Sequence, residues 1–275
     1  MKKSDFISIT LRSLLYIAAF FTVAVIIFII AHILINGFPH INRSLFARKY
    51  TSENVSLIPA LLNTLCITLL TLLIAVPSGI FAAIYLTEYT KATNKLVKII
   101  RITTETLTGI PSIIYGLFGL LFFGTALKWG YSVISGIFTL YIMILPIIIR
   151  TTEEALLAIP QTYREASFGL GAGKLRTIFK VVLPCAVPGI LSGVILSTGR
   201  IVGETAALIY TAGTVANIAS DLFSSGRTLS VHMYILSSEG LHTNQAYATA
   251  VILLVIVLLI NATSSLLAKK ITFAK

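Results

Sequence analysis

Six stretches of the chain stay apolar for long enough to cross a hydrocarbon core of ~30 Å, a distance that takes ~20 residues of helix. They fall at 13–36, 58–86, 102–127, 132–157, 185–212 and 245–268, and polar residues collect between them. The pattern predicts an all-α membrane protein of about six transmembrane helices. The first apolar run, Ser13 to Ile35, exceeds the core of a secretory signal, and no small-residue cleavage site follows it, so it is expected to remain. The longest polar-leaning stretches, near 37–57, 158–184 and 213–244, are too short to be separate domains but longer than simple turns, a length that usually carries structure or a task. The expected division is an N-terminal span with its outer loop (1–57), a core (58–268) containing the inner loop 158–184, and a short tail (269–275).

Helix breakers interrupt four of these runs: Pro77 with Gly79, Gly109 with Pro111, Pro146, and Pro188. Breakers in so many spans suggest helices that bend around a pathway. The fifth run also carries Gly189 with Gly193 and Gly199 with Gly203, two pairs at the spacing that admits a neighbouring backbone. Packing within the chain and contact with a second subunit both remain open for them.

Composition confirms the class, since 56% of the 275 residues are hydrophobic and only 11% charged, with a mean hydropathy of +0.94. That excludes a soluble globule, a disordered chain and a disulfide-stapled module. The net charge of +11 would suggest a nucleic-acid partner in a soluble protein. Here Lys2, Lys3, Arg12, Lys91, Lys95, Lys98, Arg101, Arg164, Lys174, Arg176, Lys180, Lys269, Lys270 and Lys275 flank the spans on one side, against Arg43, Arg48, Lys49, Lys128 and Arg227 on the other. The positive-inside rule then places both termini in the cytoplasm and removes the need for nucleic acid. Cys66 and Cys185 lack any metal-ligand or disulfide spacing and read as small buried hydrophobes. His32, His40, His232 and His242 are scattered toward the outer side, where a hydrogen-bonded surface role is expected. No constellation suited to catalysis or to a metal emerges.

Two basic residues fall within or at the edge of spans. Arg200 lies twelve residues past Pro188, a rise of ~18 Å that puts it near mid-membrane, where an arginine costs ~3 kcal/mol. Glu204 follows four residues later, on the same face if the helix continues, so the two are expected to pair. Arg150 ends the fourth apolar run, with Glu153 and Glu154 one turn on. One reading is that each arginine satisfies a glutamate and fixes helix packing. The other is that two guanidinium groups share a wet cavity and bind a tetrahedral oxyanion, whose acceptors match their planar, paired donors.

The inner loop begins a short helix after Pro160 and ends it at Gly169, Gly171 and Gly173. The glycines before Lys174 are not a phosphate loop, because Leu175 stands where Ser or Thr is needed and no strand precedes. The segment Glu165-Ala166-Ser167, followed by Gly171, Val181 and Leu183-Pro184 at fixed offsets, resembles the coupling-loop motif of the permease subunits of ABC importers, with Ser167 and Val181 as mild departures. Across most of the chain the sequence also resembles the phosphate-type (PstA-type) permeases of that family. The matching segments are Gly109-Ile110-Pro111-Ser112-Ile113 with Gly116, Arg150-Thr151-Thr152-Glu153-Glu154, and Arg200-Ile201-Val202-Gly203-Glu204-Thr205-Ala206.

The resemblance implies a MetI-like permease fold in a bacterial or archaeal cytoplasmic membrane and an ATP-driven import of inorganic phosphate. The anion pathway would run past Arg150, Glu153, Arg200 and Glu204. Coupling would run through Glu165, Ala166, Ser167, Gly171, Leu183 and Pro184, on a helix at about 161–169 that docks on an ATPase. The implied partners are a second homologous permease, two copies of an ATP-binding subunit that hold ATP and Mg, and an extracytoplasmic phosphate-binding protein; no cofactor belongs to this chain. The outer segment 213–244, with Asp221, Arg227 and Glu239, is the expected contact for the binding protein. An ion-coupled phosphate carrier would leave the coupling motif unexplained, and phosphonate or sulfate would suit the same arginines.

Overall fold

A computed structural model describes residues 3–90 and 94–273; Lys2, Lys91 and Lys275 of the charge pattern lie outside the described residues. Helix α1 (Lys3–Gly37) leads to two short 3-10 turns. Next come α2 (Ile58–Ile84), α3 (Lys95–Thr108), α4 (Ser112–Gly119) and α5 (Val133–Leu157), then the inner helices α6 (Gln161–Gly169) and α7 (Lys174–Thr177). The chain ends with α8 (Leu183–Gly203), α9 (Ala206–Thr211), α10 (Leu229–Glu239) and α11 (Thr243–Phe273). Wide π turns extend α2 through Tyr85–Tyr89, α4 through Leu120–Ala126, and join α7 to α8 through Ile178–Val182.

Among the described residues five helices are long and apolar enough to cross a membrane, and α3 with extended α4 makes a sixth crossing only as a pair bent by 103°. The expected third span, 102–127, is therefore not one rod. Pro111 holds extended backbone (φ −58°, ψ 138°) ahead of α4, and the residue before a proline is kept out of the helical region, so α3 must stop at Gly109. The other three prolines do not break their helices: Pro77, Pro146 and Pro188 sit inside continuous α2, α5 and α8. The fifth span also departs from expectation. Its helix runs from Lys174 to Gly203 and ends there, with α9 a separate short helix.

Helix α5 is the hub, packed on α2 and α8 and reached by α3, α4 and α9. One core joins Ile67 and Ala75 of α2, Tyr115 of α4, Leu140, Ile144 and Ile148 of α5, Ile201 of α8 and Leu208 of α9. A second, at the inner end, joins Ile84, Val97, Leu156, Ile178 and Ile190. Helix α1 lies outside the bundle against α11, and its apolar residues face the surroundings. The first glycine pair of α8 serves packing within the chain: a Cβ on Gly189 would meet Ala155 at 2.6 Å, and one on Gly193 would overlap Thr151. Gly199 and Gly203 have open space where a Cβ would stand. The cysteines are free, Cys66 exposed on the outside of the bundle and Cys185 partly so. Neither is buried as expected, because an apolar span in a membrane protein turns small side chains outward as readily as inward.

Candidate anion pathway and coupling face

The register of α5 on α8 sets the depth of both membrane arginines. Thr151 lies against Gly193 and Ala155 against Gly189, so the helices are antiparallel and Arg200 comes about level with Ile144. At 1.5 Å per residue that is ~17 Å from the start of α5 and ~20 Å from its end. Arg200 thus sits near mid-depth. Arg150 is ~9 Å nearer the inner end by the same count.

The two arginines have different surroundings. Arg150 donates through Nε to Glu154 Oε1 at 3.0 Å, and its Nη1 lies 3.8 Å from Glu105 of α3. Glu153, on the other side of the turn, pairs with Arg101 of α3 at 2.5 Å. These residues and Thr104 line an inner cleft of about 250 Å³. Arg101 and Glu105 had no distinguishing mark in the sequence beyond flanking a span. What brings them in is the bend after α3, which lays that helix across the inner end of α5.

Arg200 and Glu204 do not line this cleft, and they do not pair. Helix α8 ends at Gly203 and Glu204 turns to extended backbone (φ −69°, ψ 128°), so the four-residue spacing no longer places the two side chains on one helical face. Glu204 Oε1 instead accepts a hydrogen bond from Ala207 N at 3.1 Å, at the first turn of α9. Its carbonyl accepts one from Ser230 Oγ at 2.6 Å. Glu204 is buried, while Arg200 is half-buried, with no carboxylate within ion-pair distance among the described residues. It stands close enough to Tyr115 of α4 for an electrostatic interaction. Gly116 explains the next part of that wall: α9 approaches so closely that a Cβ there would lie 2.8 Å from the Ala207 Cα.

At the inner face α6 spans Gln161–Gly169, matching the helix expected at 161–169. Gly171 has φ +80°, a left-handed turn that glycine adopts without strain. Leu170 N and Gly171 N donate to the Ala166 and Phe168 carbonyls, closing the helix end. Glu165 and Ala166 are exposed, as are Tyr163, Phe168 and, at 90%, Leu170, which gives α6 an apolar outer face. Ser167, the departure from the motif's alanine, is buried and shares a 2.8 Å hydrogen bond with Thr177. Leu183 and Pro184 open α8, just after the buried Ile178 and Val182.

Two features were invisible to pattern reading. Arg164 of α6 is buried and pairs with Glu88 after α2 at 2.7 Å. At the outer end Arg227 is buried rather than available to a partner, because its guanidinium stacks 4.7 Å over the Tyr50 ring. His232 is fully buried beside it, not a surface histidine, and burial first, then the Arg227 charge, pulls its pKa down to about 3. Asp221 and Glu239 do remain exposed.

The family of binding-protein-dependent transport system inner membrane components matches residues 75–273. The chain is 33% identical over 233 residues to the probable ABC transporter permease protein YqgI of Bacillus subtilis (strain 168), covering 79% of each. It is 34% identical over 254 residues to the phosphate transport system permease protein PstA of Pasteurella multocida (strain Pm70), covering 90% of each. A chain of the MetNI methionine ABC transporter in an inward-facing form superposes with a TM-score of 0.63 at 22% identity, over 78% of this chain and 95% of that one.

Proposed function

We propose, for a chain that belongs to the family of binding-protein-dependent transport system inner membrane components, that the anion it conducts is inorganic phosphate. The protein is a multi-pass inner-membrane permease of an ABC importer, with no ATPase domain of its own. In the proposed assembly it pairs with a second homologous permease, stands over two copies of an ATP-binding subunit that hold ATP and Mg, and receives phosphate from an extracytoplasmic binding protein. Relatives named as phosphate permeases support the choice of anion.

The observation that carries the reading is Arg200, a guanidinium near mid-depth without a carboxylate partner. A charge at that depth is stabilised by a wet cavity or a counter-ion, and a transported oxyanion supplies the counter-ion. Its planar donors hold two phosphate oxygens at once. The inner tier works differently: Arg150 and Arg101 already have carboxylates, so an arriving anion exchanges with Glu154, Glu105 and Glu153, which favours release over retention. Glu204 orders the first turn of α9, and its carboxylate could accept a hydrogen bond from a protonated phosphate oxygen that came within reach. ATP binding and hydrolysis on the partner would rock the pathway between its two openings through α6.

The test is uptake by the assembled transporter reconstituted in vesicles with its binding protein. Labelled phosphate should accumulate only with ATP inside, and Arg200→Ala should abolish uptake at unchanged assembly. Equal accumulation of sulfate or a phosphonate with no phosphate uptake would reassign the substrate. Uptake persisting in Arg200→Ala would remove this residue from the pathway.

A further inference from the structure

Helix α6 is attached to the rest of the chain in an unusual way. Its only buried residues are polar, Arg164 and Ser167. Ser167 reaches Thr177 of α7, which is the next helix in the chain and moves with α6 in any case. Among the described residues, Arg164 makes the side-chain hydrogen bonds that join α6 to α2 and to the end of α5. It donates through Nη2 to Glu88 Oε1 at 2.7 Å and to the Leu156 carbonyl at 3.0 Å. Its Nη1 donates to the Ile159 carbonyl at 2.9 Å and its Nε to Glu88 at 3.1 Å. One guanidinium thus holds the inner end of α2, through Glu88, and two carbonyls at and just after the end of α5.

We infer that the Glu88–Arg164 pair is a transmission joint that makes α2 follow the stroke of α6. The covalent chain already ties α6 to α5 through Ala158–Pro160 and to α8 through α7 and its π turn. Nothing covalent ties α6 to α2, which lies some seventy residues away, so the ion pair is a direct link from α6 to that wall of the bundle, beside the indirect path through α5, which packs on α2. Three properties suit it to the task. Both side chains are about nine-tenths buried, so water screens the pair far less than an exposed one, although both line a cleft of about 510 Å³ at the inner face. The guanidinium is planar and rigid, and three acceptors fix its orientation. Glu88 itself lies in the Tyr85–Tyr89 π turn, a geometry often found where a helix must adjust. A lysine at 164 could keep the charge but could not serve Glu88 and both carbonyls with the same fixed geometry. Arg164 is in this sense a positioning residue, acting through Glu88 and the two carbonyls.

The inference rests on the reading of α6 as the segment that meets the ATPase, and the test separates the two. The assembled transporter carries Cys66→Ser and Cys185→Ser, with spin labels on Tyr131→Cys and Leu241→Cys, which are exposed at the outer end. ATP hydrolysis, phosphate uptake and the ATP-dependent change in label distance are measured in one vesicle preparation. In Arg164→Ala and Glu88→Gln, ATPase association and hydrolysis should stay within twofold of the parent. Uptake per ATP should fall at least tenfold, and the outer distance change should vanish. Arg164→Lys should be intermediate, and the exchange of Glu88→Arg with Arg164→Glu should restore part of the ratio.

Uptake per ATP within twofold of the parent in both single variants would overturn the joint. Loss of ATPase association in parallel with uptake would also overturn it, because Arg164 would then only shape the docking face. If Arg164→Ala fails to assemble, Glu88→Gln decides by the same criteria, since it leaves the guanidinium both carbonyl acceptors. The reading of α6 fails separately, if Gly171→Trp leaves ATPase association unchanged. A parent that moves no phosphate but shows the label change refutes the substrate and still reads the joint.

Discussion

Arg150 and Arg200 look alike along the chain: one closes an apolar run and the other interrupts one, and each is followed by a glutamate four residues on. Arg150 keeps that partner at 3.0 Å, because α5 continues as helix to Leu157. Arg200 loses it, because α8 stops at Gly203 and Glu204 is recruited to the first turn of α9. Spacing alone brings side chains together only while the helix that defines it persists. The result is a paired, half-exposed arginine at the inner cleft and an unpaired one near mid-depth, from nearly the same local sequence.

The strongest way to break this contrast is to ask whether each arginine depends on its own glutamate. Arg200→Ala should reduce uptake on the order of 10²-fold or more, as expected when one preorganised charged donor is removed from a site. Adding Glu204→Ala should restore nothing, since no pair exists to be cancelled. Recovery of uptake in the double variant at matched membrane levels would mean that the two do pair in the working protein. At the inner tier, Arg150→Ala with Glu154→Ala should behave better than Arg150→Ala alone, because a stranded carboxylate is removed with its partner.

The packed and open faces of α8 allow a sharper test of why Arg200 stands free. Gly193→Ala should destabilise the purified chain by about 1–3 kcal/mol, because the new methyl overlaps Thr151 in a filled interface. Gly203→Ala, with open space around it, should be neutral or gain up to ~1 kcal/mol of helix propensity. Equal costs in a detergent unfolding assay would mean that the far end of α8 is packed as tightly as the near end.

A third arginine extends the comparison to the outer end, where Arg227 is neither paired nor open but stacked on Tyr50 beside His232. Burial holds that histidine neutral, with a pKa of about 3 against ~6.5 in the unfolded chain. Between those values the unfolded chain binds the extra proton, so stability falls as pH drops below ~6.5. From pH 6.5 to 5 the outer cap should lose roughly 2 kcal/mol, read by hydrogen exchange of α10, and His232→Phe should flatten the slope. A slope that survives His232→Phe would assign the acid sensitivity to other groups. The smallest effect is expected for Arg150→Ala on folding itself: its side chain is half exposed, water screens the pair, and the thermal midpoint should not move.

Four of the six span positions were legible in the sequence, since hydrophobic runs need only length, while the third proved bent and the fifth runs from Lys174 to Gly203; α6 was legible because Pro160 and the glycines bracket it. The sequence marked Gly109 and Pro111 as breakers but said nothing of the 103° angle, which depends on where α3 can pack. Residues joined through space stayed hidden. Nothing local to Glu88 points to Arg164, and nothing local to Arg101 points to Glu153. Asn63 is a further case: its side chain donates to the Asn217 and Arg227 carbonyls and so ties the outer loop to α2. Glu204 stood out in the sequence as a carboxylate within an apolar run, but its neighbour is Ala207 rather than Arg200, since the end of α8 carries no strong stop signal beyond a single glycine.

The open end of α8 also bears on how the protein is made and kept. A copy inserted before its partner arrives carries an uncompensated guanidinium at a depth where it costs ~3 kcal/mol, next to two glycines that expose bare helix backbone. That strip is the part of the molecule least at ease in lipid. In the assembly proposed above, a second subunit would close that wall and water would fill the pathway. The charge proposed to hold the transported anion is therefore also the charge that makes a lone copy costly to leave in lipid.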